Sequence, residues 1–234
     1  MTSTRLPGKV MHPILGKPML ELLVERLKRA RTLDQIVVAT TTNRADDVIE
    51  ELACQLGVSV FRGSEEDVLD RVLRAARSVN ADVIVEITGD CPLIEPAVVN
   101  RLVGIYQANH YDYISNTLQR TFPRGLDTQV FSAAVLAQVA ELTQAPADRE
   151  HVSLYIYEHP ERFSLHNVQS GLPEKYWDLR LTVDTLEDFS LIREIYQELY
   201  PVNPAFSLKD IMDLSDRMPQ LFETNRGVQQ KPVR

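Results

Sequence analysis

Between residues 18 and 109 short apolar strands alternate with amphipathic helices, and this alternation narrows the available folds more than any other feature of the chain. Pro18 opens a helix in which Leu20, Leu23, Val24 and Leu27 follow the i, i+3, i+4, i+7 spacing of one buried face. The spacing then predicts a strand over Gln35–Thr40, a helix over Asp46–Leu56 closed by Gly57, a strand over Val58–Phe61 and a helix over Glu66–Ser78. A strong strand over Asp82–Thr88 and a helix over Pro96–Asn109 complete the run. Strands and helices at this spacing need right-handed crossovers, so the expected fold is α/β, with a mainly parallel sheet covered on both faces.

The pattern changes after residue 110. Tyr111–Asn116, Leu126–Phe131 and Arg162–Val168 read as strands around two helices, Ser132–Leu142 and Asp148–Glu158. This predicts a mixed α+β arm near 110–170. Leu179–Val183 reads as a last strand, and Leu186–Tyr200 and Ser207–Met218 as closing helices, giving one domain over 1–224. The tail Asn225–Arg234 has no apolar period and is expected to be disordered.

Composition excludes several function classes. Of 234 residues, 44% are apolar, enough for a sizeable core, yet no apolar run approaches the ~20 residues that span a bilayer. With no signal-peptide pattern at the start either, the expectation is a cytoplasmic protein without a membrane partner. Two cysteines, Cys54 and Cys91, exclude a disulfide framework and a cysteine-rich zinc site. A formal charge of −8 argues against a nucleic-acid partner. Residues 1–31 are locally basic nonetheless, and Arg26 to Arg31 read as the solvated face and last-turn cations of a helix.

Three segments can carry chemistry. Ser3-Thr-Arg-Leu-Pro-Gly-Lys9 offers hydroxyls, backbone N–H groups and the cations Arg5 and Lys9, which together can surround a polyphosphate, although the spacing is not that of a Walker loop. Thr88-Gly-Asp-Cys-Pro-Leu-Ile94 follows the strong strand. It puts Asp90 at a carboxyl end, where open parallel sheets bind ligands, and Gly89 allows close backbone approach. Leu181-Thr-Val-Asp-Thr-Leu-Glu-Asp188 repeats the arrangement with Asp184. Each aspartate can be read as a turn or helix cap, or as an oxygen ligand for Mg²⁺. Two strand-end acids with a cationic loop are what metal-assisted phosphoryl or nucleotidyl transfer requires.

The ordered motifs S-T-R-L-P-G-K, V-V-A-T-T, F-R-G-S-E-E-D-V-L-D-R, I-T-G-D-C-P-L-I, S-N-T, F-P-R-G-L-D, R-E-H-V and L-T-V-D-T-L-E-D-F resemble those of cytidylyltransferases of the spore-coat polysaccharide type. That group is similar to the synthetases of CMP-sialic acid, CMP-pseudaminic acid and CMP-KDO. The resemblance implies a Rossmann-like three-layer nucleotide-diphospho-sugar transferase fold. It also implies transfer of CMP from CTP to an acidic 2-keto sugar with Mg²⁺ as cofactor, for surface polysaccharide or glycoconjugate synthesis, in a homodimer. Carried over by motif, Arg5, Lys9, Asp90 and Asp184 are the catalytic set, with Asp90 and Asp184 on the metal. Ser3, Thr41, Arg62, Ser64 and Gly89 would join Arg5 and Lys9 on the nucleotide, while Asn116, Arg124, Asp127 and His151 would line the sugar pocket. The alternatives are a nucleotide-sugar-dependent glycosyltransferase of related fold, for which Thr88-Gly-Asp90 lacks the first acid of an Asp-x-Asp pair, and a truncated non-catalytic nucleotide-binding form. Family members usually carry one more strand upstream of the first motif, so two strands of the sheet are expected to lack a neighbour here.

Overall fold

The computed structural model describes residue 1 and residues 4–231. Gly8, at φ 68°, turns the chain into a 3₁₀ turn over Lys9–Met11. A small hairpin follows, β1 (Pro13–Ile14) and β2 (Lys17–Pro18), its turn made by Leu15 and Gly16 at positive φ. Helix α1 (Met19–Leu27) starts behind Pro18 and buries Leu20, Leu23, Val24 and Leu27, the face set by its spacing.

Next come β3 (Val37–Thr41), α2 (Asp47–Gln55), β4 (Ser59–Gly63), α3 (Val68–Ser78), β5 (Val83–Glu86) and α4 (Pro96–Ala108). Asp67 caps α3, its side chain accepting from the Asp70 N–H, and Glu95 caps α4. The arm contributes β6 (Tyr113–Ser115), β7 (Gln129–Ser132), α5 (Ala133–Leu142), α6 (Pro146–Glu150), α7 (Leu154–Glu158) and β8 (Leu165–Asn167). Three helices close the chain, α8 (Leu186–Leu199), α9 (Leu208–Arg217) and α10 (Pro219–Phe222), the first two each starting at a reciprocal capping box.

Two sheets share these layers. β3 and β4 pair in parallel, and the other sheet runs β5-β7-β6-β8, with β6–β8 parallel and both pairs of β7 antiparallel. The antiparallel pairs come from the arm, where a mixed sheet is expected. One core gathers α1, α4, α8 and α9 with Val38, Val85 and Ile87, and a second gathers α3, α5 and α7 with Ile84 and Phe131. The β5-β7-β6-β8 sheet therefore lies between the two cores. β3 pairs only with β4, and β5 only with β7. Among the described residues, each is paired along one edge.

Four readings are corrected. Asp148–Glu158 is not one helix: it breaks into α6 and α7 at His151–Ser153, where Val152 has φ 32°. Leu179–Val183 forms only an isolated parallel bridge, Arg124 to Arg180, because its remaining backbone bonds go to loops. Arg26 is not on a solvated face. It is 2% exposed and donates to the carbonyls of Ile94 (2.6 Å) and Phe206 (3.1 Å), with Glu95 at 3.6 Å from Nη2, and these offset part of the hydration a buried cation loses. The start of the expected tail is held: Asn225 is buried and donates to the Arg180 carbonyl and to Asp188, while 226–231 are mostly exposed and form no helix or strand. No helix of the described residues is long and apolar enough to cross a membrane.

Candidate functional site

The loops leaving β5 and preceding α8 meet, and the loop after Gly8 closes over them. Asp90 is fixed through its backbone, its carbonyl accepting from Val183 N–H (2.9 Å) and the Thr182 hydroxyl (3.1 Å). Its carboxylate also takes a short bond from Thr88. A Cβ on Gly89 would come to 3.4 Å from Val10, an ordinary contact, so the first loop lies close against the second here without requiring glycine.

Lys9 occupies the meeting point. Its Nζ donates to Val183 O (2.6 Å), Asp184 Oδ1 (3.0 Å) and Asp90 Oδ2 (3.2 Å). Asp184 Oδ2 faces two guanidinium groups, Arg5 Nη2 at 3.0 Å and Arg180 Nη2 at 2.8 Å. Burial alone would raise the Asp184 pKa, but the charges of Lys9, Arg5 and Arg180 outweigh it and hold the carboxyl below its ordinary value. The neighbouring Cys91 thiol is pushed well up by burial and by the charges of Asp90 and Asp127, so it stays protonated.

Two carboxylate oxygens from different elements thus converge on one cationic atom. A divalent ion can use the same pair, since hard cations such as Mg²⁺ take oxygen donors and commonly need only one or two protein acids beside substrate phosphates.

Beyond Asp184 lies Arg124, carried on a turn that only glycine permits. Gly125 has φ 97°, and a Cβ there would stand 2.4 Å from the Leu181 backbone. That contact sets Arg124 beside Leu179–Leu181, its N–H donating to Leu179 O and its carbonyl accepting from Leu181 N–H. The Arg124 guanidinium is half-buried, and burial together with the nearby Arg120 lowers its pKa. It has no hydrogen-bond partner among the described residues, so it is available to an anion. Asp127 is held by Arg120 through two bonds of 2.7 and 2.9 Å, and the sequence reading missed Arg120. Its spacing three residues before a Pro-Arg-Gly turn gave no distinguishing signal.

The remaining predicted residues divide. Thr41 is turned inward, its N–H and hydroxyl donating to Asp46 Oδ2 at 3.0 and 2.7 Å. Asp46 was not foreseen; it also binds Thr40 and the Met1 amine at 2.8 Å, pulling the first residue to the end of β3. Arg62 bonds the carbonyls of Thr41 and Asn43 and pairs with Asp47 and Glu50, so its fork organises the β3–α2 loop. Ser64 accepts from the Asp67 N–H ahead of α3. Asn116 lies fully out of solvent, its amide spanning Leu126 O and Thr128 N–H, so both ends are occupied in shaping the loop that carries Asp127. The half-buried His151 stands at the α6–α7 break, where its ring has no polar partner among the described residues. Ser3 lies outside the described residues.

Comparison with known proteins identifies the family and the fold. A cytidylyltransferase family model matches residues 1–209. The chain is 34% identical to the spore coat polysaccharide biosynthesis protein SpsF of Bacillus subtilis over 94% of this chain and 92% of that protein. It is 28% identical to 3-deoxy-manno-octulosonate cytidylyltransferase of Geobacter metallireducens, over 66% of this chain and 70% of that enzyme. A solved structure of a cytidylyltransferase from Leptospira borgpetersenii superposes with a TM-score of 0.89 at 34% identity, covering 99% of this chain and 95% of that one. The fold is therefore the Rossmann-like nucleotidyltransferase fold. A family match over residues 1–209, together with 34% identity to SpsF over most of both chains, makes this protein a member of the cytidylyltransferase family, of the spore-coat and CMP-sugar type.

Proposed function

We propose that the chain transfers CMP from CTP to a hydroxyl of an acidic 2-keto sugar, releasing pyrophosphate. The observation that carries this reading is the convergence of Asp90 Oδ2 and Asp184 Oδ1 on Lys9 Nζ. In the reaction a sugar hydroxyl oxygen forms a bond to the α-phosphorus of CTP, the α–β phosphoanhydride bond breaks, and the hydroxyl proton passes to solvent. Lys9 and Arg5 move from the carboxylates to the triphosphate, where they offset charge growing on the leaving pyrophosphate. Asp90 and Asp184 would hold Mg²⁺, which polarises phosphoryl oxygens as a Lewis acid. Arg124 receives the sugar carboxylate, because a planar fork can hold both of its oxygens. Arg120 keeps Asp127 in place beside that pocket.

Cytosine is assigned through the family alone, and tighter binding of CTP than of UTP or ATP in calorimetry tests it. Family membership supports nucleotidyl transfer over glycosyl transfer. Incubation with CTP, Mg²⁺ and a panel of eight- and nine-carbon 2-keto acids, followed by mass spectrometry, should detect one CMP ester. Formation of none across the panel, with CTP bound, would remove the acidic-sugar assignment.

A further inference from the structure

Of the three cations around Asp184, Arg180 is unlike the others. Arg5 has 35% of its side chain exposed and Lys9 15%, so both can move to a phosphate, whereas Arg180 has 6%. Arg180 is also held on every side. Its Nε and Nη2 donate to Asp188 (2.8 and 3.2 Å), its Nη2 to Asp184 Oδ2 (2.8 Å) and its Nη1 to the Gln230 side chain (2.8 Å). Asp188 in turn accepts from the backbone N–H groups of Asp184 (2.9 Å) and Thr185 (3.1 Å) and from Asn225 Nδ2 (2.8 Å). Asn225 closes the loop by donating to the Arg180 carbonyl (3.0 Å). One residue ahead of Gln230, the Gln229 carbonyl lies 3.5 Å from Arg5 Nη1.

We infer that Arg180 is a positioning residue for Asp184, and that the C-terminal segment Asn225–Gln230 belongs to the site by holding Arg180 in place. This rests on the reading of Asp184 as a metal-directed acid. When Arg5 and Lys9 leave for the triphosphate, Arg180 stays on Oδ2 and fixes the carboxylate plane, so that Oδ1 keeps facing Asp90. Groups that orient a ligand from behind in this way are worth about 10–100-fold in metal affinity or activity. The tail adds rigidity at little cost, because Gln230 satisfies the one Arg180 nitrogen that neither aspartate reaches.

The test is calorimetric titration of Mn²⁺ with CTP into the full chain, with kcat and KM measured in parallel. The variants are Gln230→Ala, a chain ending at Gly227, Arg180→Gln, and Lys209→Ala as a distant control. Removal of the Gln230 contact, in either form, should weaken Mn²⁺ half-saturation about five-fold and lower kcat, the worth of one ordinary, part-exposed hydrogen bond, with the KM for sugar unchanged. Arg180→Gln should weaken it about ten-fold or more, and Lys209→Ala not at all. If Arg180→Gln does not fold, the two tail variants decide, since neither removes a buried side chain. Tail variants that bind Mn²⁺ and turn over like the unaltered chain would overturn the positioning role while leaving the site intact. An unaltered chain that takes up neither Mn²⁺ nor CTP would overturn the reading of Asp184 itself, and the positioning role with it.

Discussion

Asp90 and Asp184, on loops far apart in sequence, close on the same ammonium group, at 3.2 and 3.0 Å from Lys9 Nζ. Neither acid can be replaced by its neighbour, because each approaches from a different element. Asp90→Asn and Asp184→Asn keep side-chain shape and remove one charge, so each should lower turnover by at least about 100-fold. Far-UV circular dichroism should stay that of the unaltered chain.

Asp184 also links stability to pH. Its folded pKa lies below its unfolded one, so the stability it contributes is present above the unfolded value near pH 4 and is lost as pH falls through the folded value. Asp184→Asn should therefore flatten the acid side of a Tm-against-pH curve below about pH 4.

Glu86 carries the opposite sign. Burial at the end of β5 raises its carboxyl to about 7, with Gln129 Nε2 at 3.4 Å as a weak donor. The folded state then holds a proton that the unfolded state releases near 4.5, so stability should fall as pH rises from 4.5 to 7. Glu86→Gln should gain about 1–2 kcal/mol at pH 8 and nothing at pH 4, measured by urea unfolding.

Gly125 should tolerate no side chain. A Cβ at 2.4 Å from the Leu181 backbone, at φ 97°, predicts a loss of about 2 kcal/mol or more for Gly125→Ala. Because the same contact places Arg124, the KM for sugar should rise as well. Arg124→Ala, without the strain, should raise the sugar KM about ten-fold and leave that for CTP unchanged.

Local periodicity made much of this legible. The buried face of α1 and the Gly57 stop each follow from side chains a few residues apart, and the structure keeps them. Arg5, Lys9, Asp90 and Asp184 could be named because loop composition and strand ends carry signals of their own. What stayed hidden depends on long-range partners. Arg26 reads as a surface cation until the carbonyls of Ile94 and Phe206 are brought to it. The tail reads as frayed because its anchors, Arg180 and Asp188, are remote in sequence and polar, leaving no apolar period. Asn116 and Arg62 lie in the right motifs, but which way a polar side chain faces is decided by the loop around it.

The most direct test of the account is CTP- and sugar-dependent pyrophosphate release in Mg²⁺, measured for the unaltered chain beside Asp184→Asn. The account predicts release with at least one eight- or nine-carbon 2-keto acid, none without sugar, and near-complete loss in Asp184→Asn. Release at the same rate in both proteins would contradict it.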